Sequence, residues 1–194
     1  MKYYQEIVFR PMEEISPNFI MAKVMEKLHF LFVSQLHKYG EVRCGVSYPE
    51  YKDENKKDLG HIIRIFAPDE NTLNEMALAS CMKGLSDYIV VSSIKLVPEN
   101  IASYARYKRY HREGCAGNKV RRYMKRHPEC NVKETVKMFA KEKGNRDDHP
   151  YVIMKSSSNG HTYFYFVLKE IRTEPSAGAF STYGTSLGGT VPEF

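Results

Sequence analysis

The chain has 194 residues, 42% of them apolar, and carries a formal net charge of +6. That is enough for one large domain or two small ones, each with a core. No apolar run approaches the roughly 18 residues that a membrane-spanning helix needs, which excludes that class.

In chain order, residues 2–10 read as a strand ended by Pro11. The opening MKYYQEIVFRP carries charges where a signal peptide would be apolar, so a mature protein starting here in the cytoplasm is expected. Ser16 and Pro17 form a helix start, with Ser as cap and Pro at the first helical position. The helix runs to Gly40, with Ile20, Val24, Met25, Leu28, Leu31 and Phe32 on its apolar face. Lys23, Glu26, Lys27 and His37 lie opposite. Residues 41–48 and 61–67 are strands around a polar loop at 50–60. Residues 68–83 read as one helix and 88–98 as a fourth strand. The order β-α-β-β-α-β is the ferredoxin-like arrangement, which hosts many functions and assigns none.

After Pro98 the composition shifts. The fold class expected is α+β. A ferredoxin-like domain spans 1–98, a basic linker 99–117, and a C-terminal α/β part 118–194 with a basic helix and a β-hairpin.

Residues 104–127 hold nine Lys and Arg against one acid, Glu113, so this stretch is +8 while everything else sums to −2. The cations are Arg106, Lys108, Arg109, Arg112, Lys119, Arg121, Arg122, Lys125 and Arg126; Tyr104, Tyr107, Tyr110 and Tyr123 are interleaved with them. From a cap at Asn118 the second half reads as a helix, set apart from the first half by Gly114 and Gly117. Helical periodicity puts Lys119, Arg121, Arg122, Lys125 and Arg126 on one side and Val120, Tyr123, Met124 and His127 on the other. A run of charge usually means a solvated face, but ordinary surfaces interleave both signs and this one does not. Cations neutralise phosphates and aromatic rings stack on bases, so the pattern favours a nucleic acid.

Residues 131–143 read as another helix, with a capping-box pattern in Asn131 and Glu134. A loop at 144–150 precedes two strands, 151–155 and 161–168, that flank SSSNG as a hairpin. Along the second strand, Thr162, Phe164, Phe166 and Leu168 are expected in the core. His161, Tyr163 and Tyr165 are expected on an open, stacking face. The tail is rich in Gly, Ser and Thr, as loose termini are, yet Phe180, Tyr183, Val191 and Phe194 argue that part of it packs.

Cys44, Cys81, Cys115 and Cys130 form no C-x-x-C pair, and no Cys/His spacing suggests zinc; free thiols are expected. No phosphate-binding glycine motif occurs, so no metal and no cofactor is expected.

His29 sits at the border of the first helix's apolar face, where histidines are mostly structural. An RNA-cutting site without metal needs few parts. A base takes the proton of a ribose 2′-OH, and histidine titrates near neutrality. Hydroxyls and cations then hold nucleophile and phosphate in line. His29, the hydroxyls of Ser156 to Ser158 and Tyr183 are available, although spacing alone does not bring them together.

The sequence resembles the type I-F CRISPR RNA-processing endoribonucleases, the Csy-four or Cas-six-f family. The resemblance rests on Arg10-Pro11, Lys27-Leu28-His29, Gly45-Val46-Ser47-Tyr48-Pro49 and Arg121-Arg122-Tyr123-Met124-Lys125-Arg126-His127. It continues in Lys155-Ser156-Ser157-Ser158-Asn159-Gly160, Tyr183-Gly184 and Gly188-Gly189-Thr190-Val191-Pro192. Their order spans nearly the whole chain. The resemblance implies a ferredoxin-like domain, an arginine-rich helix, and metal-free cleavage at the 3′ base of a CRISPR repeat hairpin. It also implies a protein that stays on its product within a surveillance complex of other subunits. His29 then matches the catalytic histidine and Ser156 the serine that positions the 2′-OH, with Ser158 close by. Tyr183 matches the tyrosine that orients the histidine. Arg109 matches a base-reading linker arginine. His111 stands where relatives have glutamine. Arg112 and Lys119 join the RNA-binding set, and Arg121, Arg122, Lys125 and Arg126 match the groove-facing helix. Tyr163 falls where an aromatic, usually phenylalanine, stacks near the cut. Glu193 replaces an aromatic.

The competing reading is an RNA-binding subunit that does not cleave. RNA-recognition modules share the ferredoxin-like topology, but their glycine–aromatic signature is missing from HIIRIFA.

Overall fold

The computed structural model describes residues 1–11, 14–54, 57–111, 116–140, 148–156 and 159–194. It is a mixed α/β chain with two antiparallel sheets. The chain divides into two compact units, one formed by 1–110 with 149–194 and the other by 111–148.

In the larger unit, the first sheet has the order β2-β3-β1-β4, with β5 also paired to β1. Its strands are β1 (Tyr3–Phe9), β2 (Gly45–Ser47), β3 (Ile62–Ala67), β4 (Ile89–Val91) and β5 (Lys95–Leu96). The central pair, β1 and β3, contributes Ile7, Phe9, Ile63 and Ile65 to the core. Helix α1 (Pro17–Tyr39) starts at Ser16 with Pro17 in its first turn and stops at Gly40, whose φ of 75° is left-handed. Its buried face is Ile20, Met21, Val24, Met25, Leu28, Phe32 and Gln35. Each fully buried apolar side chain contributes about 1.5–3 kcal/mol, which fixes this helix in rotation as well as position.

Three expectations for this half need correction. Residues 68–83 are not one helix. α2 (Glu70–Met76) ends at Ala77, which takes a left-handed φ of 45°, and α3 (Leu78–Cys81) and a 3₁₀ turn (Lys83–Leu85) follow. A left-handed non-glycine costs about 1–2 kcal/mol. The bend is offset by burying Leu78 and Met82 alongside Leu73 and Met76. The strand expected at 41–48 is confined to Gly45–Ser47, because Val42 bridges instead to Phe180 of the tail. The strand expected at 88–98 is two short ones, β4 and β5, both laid on β1.

The second sheet has the order β7-β8-β6-β9. It is made of β6 (Ser103–Tyr110), β7 (Tyr151–Lys155), β8 (Thr162–Arg172) and β9 (Val191–Glu193). Residues 103–110, read as part of a basic linker, are thus a paired strand. Ala105 and Tyr107 point into the core, while Lys108 meets Glu170 at 2.7 Å and Arg106 bonds Ser176 at 3.0 Å. The tail also packs: Phe180 and Val191 are buried, and β9 pairs with β6.

The smaller unit holds α4 (Ala116–Arg126) and α5 (Val132–Ala140). α4 begins two residues before Asn118, which is therefore inside the helix rather than its cap. The two helices meet through Tyr123 and Phe139, with ring centroids 5.7 Å apart, and through Met124 and Thr135. Asn131 Oδ1 accepts the Lys133 amide at 2.8 Å and starts α5. Of the helix expected at 131–143, residues 141–143 lie outside the described residues. No helix among the described residues is long and apolar enough to cross a membrane.

Candidate active site

His29 is half-buried on α1. Its Nδ1 lies 2.8 Å from the carbonyl oxygen of Thr182. A carbonyl only accepts, so Nδ1 carries a proton and donates it in this bond; the neutral ring held this way has its lone pair on Nε2. The ring lies nearly parallel to Tyr183, with centroids 4.4 Å apart and planes at 13°. One hydrogen bond and one stacked face therefore set both tautomer and orientation.

Thr182 and Tyr183 are held by a tight turn. The Gly184 amide donates to Ser181 O at 2.8 Å, and the Gly184 carbonyl accepts from Val46 of β2 at 2.9 Å. Gly184 has a φ of 71°, and a Cβ there would lie 2.6 Å from Val46 Cγ1 and 2.9 Å from Phe32 Cε2. The turn thus needs glycine both for its backbone and for its close approach to α1 and β2.

Behind the histidine is a layer of hydroxyls. Tyr183 and Tyr163 share a hydrogen bond of 2.9 Å between their hydroxyls. Tyr165 bonds Thr185 Oγ1 at 3.0 Å, and Ser181 meets the same oxygen at 2.7 Å. Burial, and then the bond to Tyr163, raises the Tyr183 pKa. Burial pushes Tyr165 up to about 12. Both phenols are thus neutral near pH 7 and act as hydrogen-bonding groups rather than bases. The Arg109 guanidinium lies 5.4 Å from the Tyr163 ring centroid and 4.9 Å from that of Tyr165, within cation–π range.

This arrangement overturns the expected faces of β8 in part: Phe166 is buried and His161 exposed as expected, but Tyr163 and Tyr165 turn inward and Thr162 and Phe164 outward. Tyr165 is 0% exposed and Tyr163 half-buried, while Phe164 is 54% exposed. Phe164 instead clusters with Tyr151 and Phe166 on the other face, where Phe166 is buried. The tail supplies hydroxyl partners for both tyrosines, which lets the tyrosine face turn inward.

His29, Tyr183, Tyr163 and Arg109 are therefore brought into one group. Ser156 is at the hairpin end, where its amide donates to His161 O and its carbonyl accepts from Gly160, both at 2.9 Å. Ser158 and Arg112 lie outside the described residues. His111 is exposed. Lys119, Arg121, Arg122, Lys125 and Arg126 are on α4 of the smaller unit, the last four exposed; Val120, Tyr123, Met124 and His127 are half-buried. Glu193 accepts from the Tyr107 hydroxyl at 3.0 Å and pairs with Lys169. The residues that sequence reasoning missed are Thr182, Ser181 and Thr185. The small polar residues before Tyr183-Gly184 were the available signal. Cys44, Cys81 and Cys130 are free, and no group of three potential metal ligands converges among the described residues.

A family model described as CRISPR-associated protein (Cas_Csy4) matches residues 4–194. The chain is 30% identical, over 100% of both sequences, to the CRISPR-associated endonuclease Cas6/Csy4 of Pseudomonas aeruginosa (strain UCBPP-PA14). It is 29% identical, again over 100% of both, to the CRISPR-associated endonuclease Cas6/Csy4 of Escherichia coli (strain UTI89 / UPEC). The chain belongs to the Cas_Csy4 family of CRISPR-associated proteins.

Proposed function

We propose that this protein is a metal-independent endoribonuclease that binds a CRISPR repeat stem-loop and cuts at the 3′ base of the stem. The observation that carries this reading is the His29 geometry. With Nδ1 donating to Thr182 and one face covered by Tyr183, Nε2 is the ring nitrogen left to act as the base when the imidazole is neutral. Nε2 takes the proton of the 2′-OH just upstream of the cut. The freed 2′-oxygen attacks the adjacent phosphorus, the bond to the 5′-oxygen breaks, that oxygen takes up a proton from solvent, and the products are a 2′,3′-cyclic phosphate and a 5′-hydroxyl. Ser156, with Ser158 near it, positions the 2′-OH; Tyr183 holds the histidine; Tyr163 and Arg109 meet bases at the foot of the stem. His111 and Arg112, which come after Arg109 in the sequence, also bind the RNA.

The helix with Lys119, Arg121, Arg122, Lys125 and Arg126 takes the stem's phosphates. An A-form major groove is deep and narrow, so a helix enters only near a loop or end, which suits a short hairpin. These contacts outlast the chemistry, so the enzyme stays on the mature RNA inside a type I-F surveillance complex with other subunits, in the cytoplasm. The N-terminal residues 1–98 take the ferredoxin-like arrangement, supported by the sheet order β2-β3-β1-β4. Residues 99–117 lead into an RNA-binding C-terminal part, 118–194.

The test is incubation with a labelled repeat hairpin from the protein's own CRISPR array, with and without EDTA. Equal cleavage in both, at one site, is expected. Loss of cleavage in EDTA overturns the metal-free mechanism, and tight binding without cleavage leaves a non-catalytic subunit.

A further inference from the structure

The imidazole of His29 has a second aromatic neighbour that the proposed chemistry does not use. Phe30, the next residue on α1, is 54% exposed, an unusual state for a large apolar ring beside a shielded histidine. Its centroid is 5.9 Å from that of His29, with the planes tilted by 49°. Apolar side chains exposed singly are common on protein surfaces and need no function. This one is the chain neighbour of His29, which places it beside the ring proposed to carry the chemistry.

The partners of the imidazole are distributed asymmetrically. Thr182 takes Nδ1, Tyr183 covers a face, and Tyr163 and Arg109 continue from Tyr183. Phe30 belongs to none of these contacts and lies beside the histidine ring. Nucleotides stacked in a helix advance by about 3.4 Å, and an unstacked step is longer, so a ring 5.9 Å from His29 is within one nucleotide of a phosphate held there. Every base offers a π-face, and aromatic side chains bind single-stranded bases by stacking on it without reading their edges.

We propose that Phe30 is a stacking platform for the unpaired nucleobase immediately 3′ of the scissile phosphate. This rests on the reading of His29 as the base at the cut. The stem-side nucleotide lies toward Tyr163 and Arg109, and the strand leaving the site passes Phe30. Stacking there fixes the leaving 5′-oxygen's nucleotide in line with the attacking 2′-oxygen. It is a contact of the substrate alone: once the bond breaks, the 3′ fragment is held only by this stack and departs, while the stem stays.

The experiment uses the full-length protein and repeat hairpins whose nucleotide upstream of the cut is 2′-deoxy, so that binding is read without turnover. Three RNAs are compared: one ending at the cut, one with a single downstream nucleotide, and one with that nucleotide abasic. Wild type is expected to bind the base-bearing RNA about fivefold or more tighter than the abasic one. Phe30→Ala removes that difference and leaves affinity for the RNA ending at the cut unchanged, and Phe30→Tyr retains it. Equal affinities of wild type for the base-bearing and abasic RNAs overturn the proposal. So does a Phe30→Ala defect of the same size on all three. Whether wild type cuts the all-ribose hairpin judges the nuclease reading separately, because the base-dependent affinity is measured without cleavage.

Discussion

His29 lies flat against Tyr183, and the peptide carbonyl just before that tyrosine accepts a hydrogen bond from its Nδ1. Orientation and tautomer are thus set by one turn of the C-terminal tail. His29→Ala is expected to lower the cleavage rate by roughly 10²–10⁴-fold or more while leaving hairpin affinity within a factor of a few. Parallel loss of binding and cleavage would make His29 a structural residue and sink the mechanism.

The Tyr183–Tyr163 hydroxyl pair allows a finer test. Tyr183→Phe and Tyr163→Phe each keep a ring and remove the 2.9 Å bond. Each is expected to cost cleavage several-fold with little effect on affinity, and the double variant no more than either single, since both delete one interaction. Additive losses would show that the two hydroxyls act separately. Tyr183→Ala, which also removes the stacked face, is expected to be worse than Tyr183→Phe.

Helix α1 was legible because its signals are local: Pro17 at one end, left-handed Gly40 at the other, and a periodic apolar face between them. The inward face of β8 was not. Alternation shows which residues share a face but not which face is buried, and tyrosine suits either. The decision came from Ser181, Tyr183 and Thr185, which supply hydroxyl partners from a tail remote in sequence. The break at Ala77 had no glycine or proline to announce it. Strand β6 was hidden by its own charges, since Lys108 reads as solvated until its 2.7 Å contact with Glu170, diagonally across on β8, is found. At the site, helical periodicity placed His29 on a border position, but its juxtaposition with Tyr183 came from the family resemblance rather than from spacing.

Gly184 links this turn to stability. Gly184→Ala forces a side chain onto Val46 and Phe32 in a left-handed backbone. The expected cost is roughly 2–5 kcal/mol from the backbone and the clash together. A thermal melt is expected to fall by about 4 °C or more, with cleavage falling further than the unfolded fraction explains because Thr182 and Tyr183 move. An unchanged melting temperature would show that the turn relaxes at no cost.

The basic helix makes an electrostatic prediction. Replacing Arg121, Arg122, Lys125 and Arg126 by alanine is expected to weaken hairpin binding strongly. It also flattens the dependence of log affinity on log salt by roughly one unit for each phosphate that is no longer neutralised. All four side chains are exposed, so the fold is expected to survive, which circular dichroism checks. An unchanged salt slope refutes the pairing of this helix with the stem.

Alkaline stability follows from the buried phenols. Burial raises Tyr48, Tyr107 and Tyr183 and pushes Tyr165 up to about 12. Unfolded tyrosine loses its proton near pH 10. Between there and about 12 the unfolded chain binds fewer protons than the folded one, so stability falls as pH rises. Tyr165→Phe removes one proton's share of that slope, and denaturant midpoints measured across the window are expected to show a shallower decline. An identical decline in the variant means that Tyr165 ionises no differently when folded.

The last prediction concerns the nucleophile. If the substrate's own 2′-oxygen attacks, a single 2′-deoxy substitution just upstream of the scissile phosphate abolishes cleavage. Stem shape and phosphate contacts are almost unchanged by that edit. Binding is therefore expected to weaken by at most about one hydrogen bond, roughly 0.5–1.5 kcal/mol. The cut ends of the all-ribose hairpin are expected to be a 5′-hydroxyl and a 2′,3′-cyclic phosphate, opening later to a 3′-phosphate, with EDTA making no difference. Ser156→Ala is expected to mimic part of the effect, because it loosens the 2′-oxygen without removing it. The two edits are also expected not to compound: with no 2′-oxygen to position, Ser156 has nothing left to contribute to rate. Efficient cutting of the deoxy hairpin would falsify this chemistry, since the attacking oxygen would then have to come from water, and His29 Nε2 would be activating that water instead of a ribose.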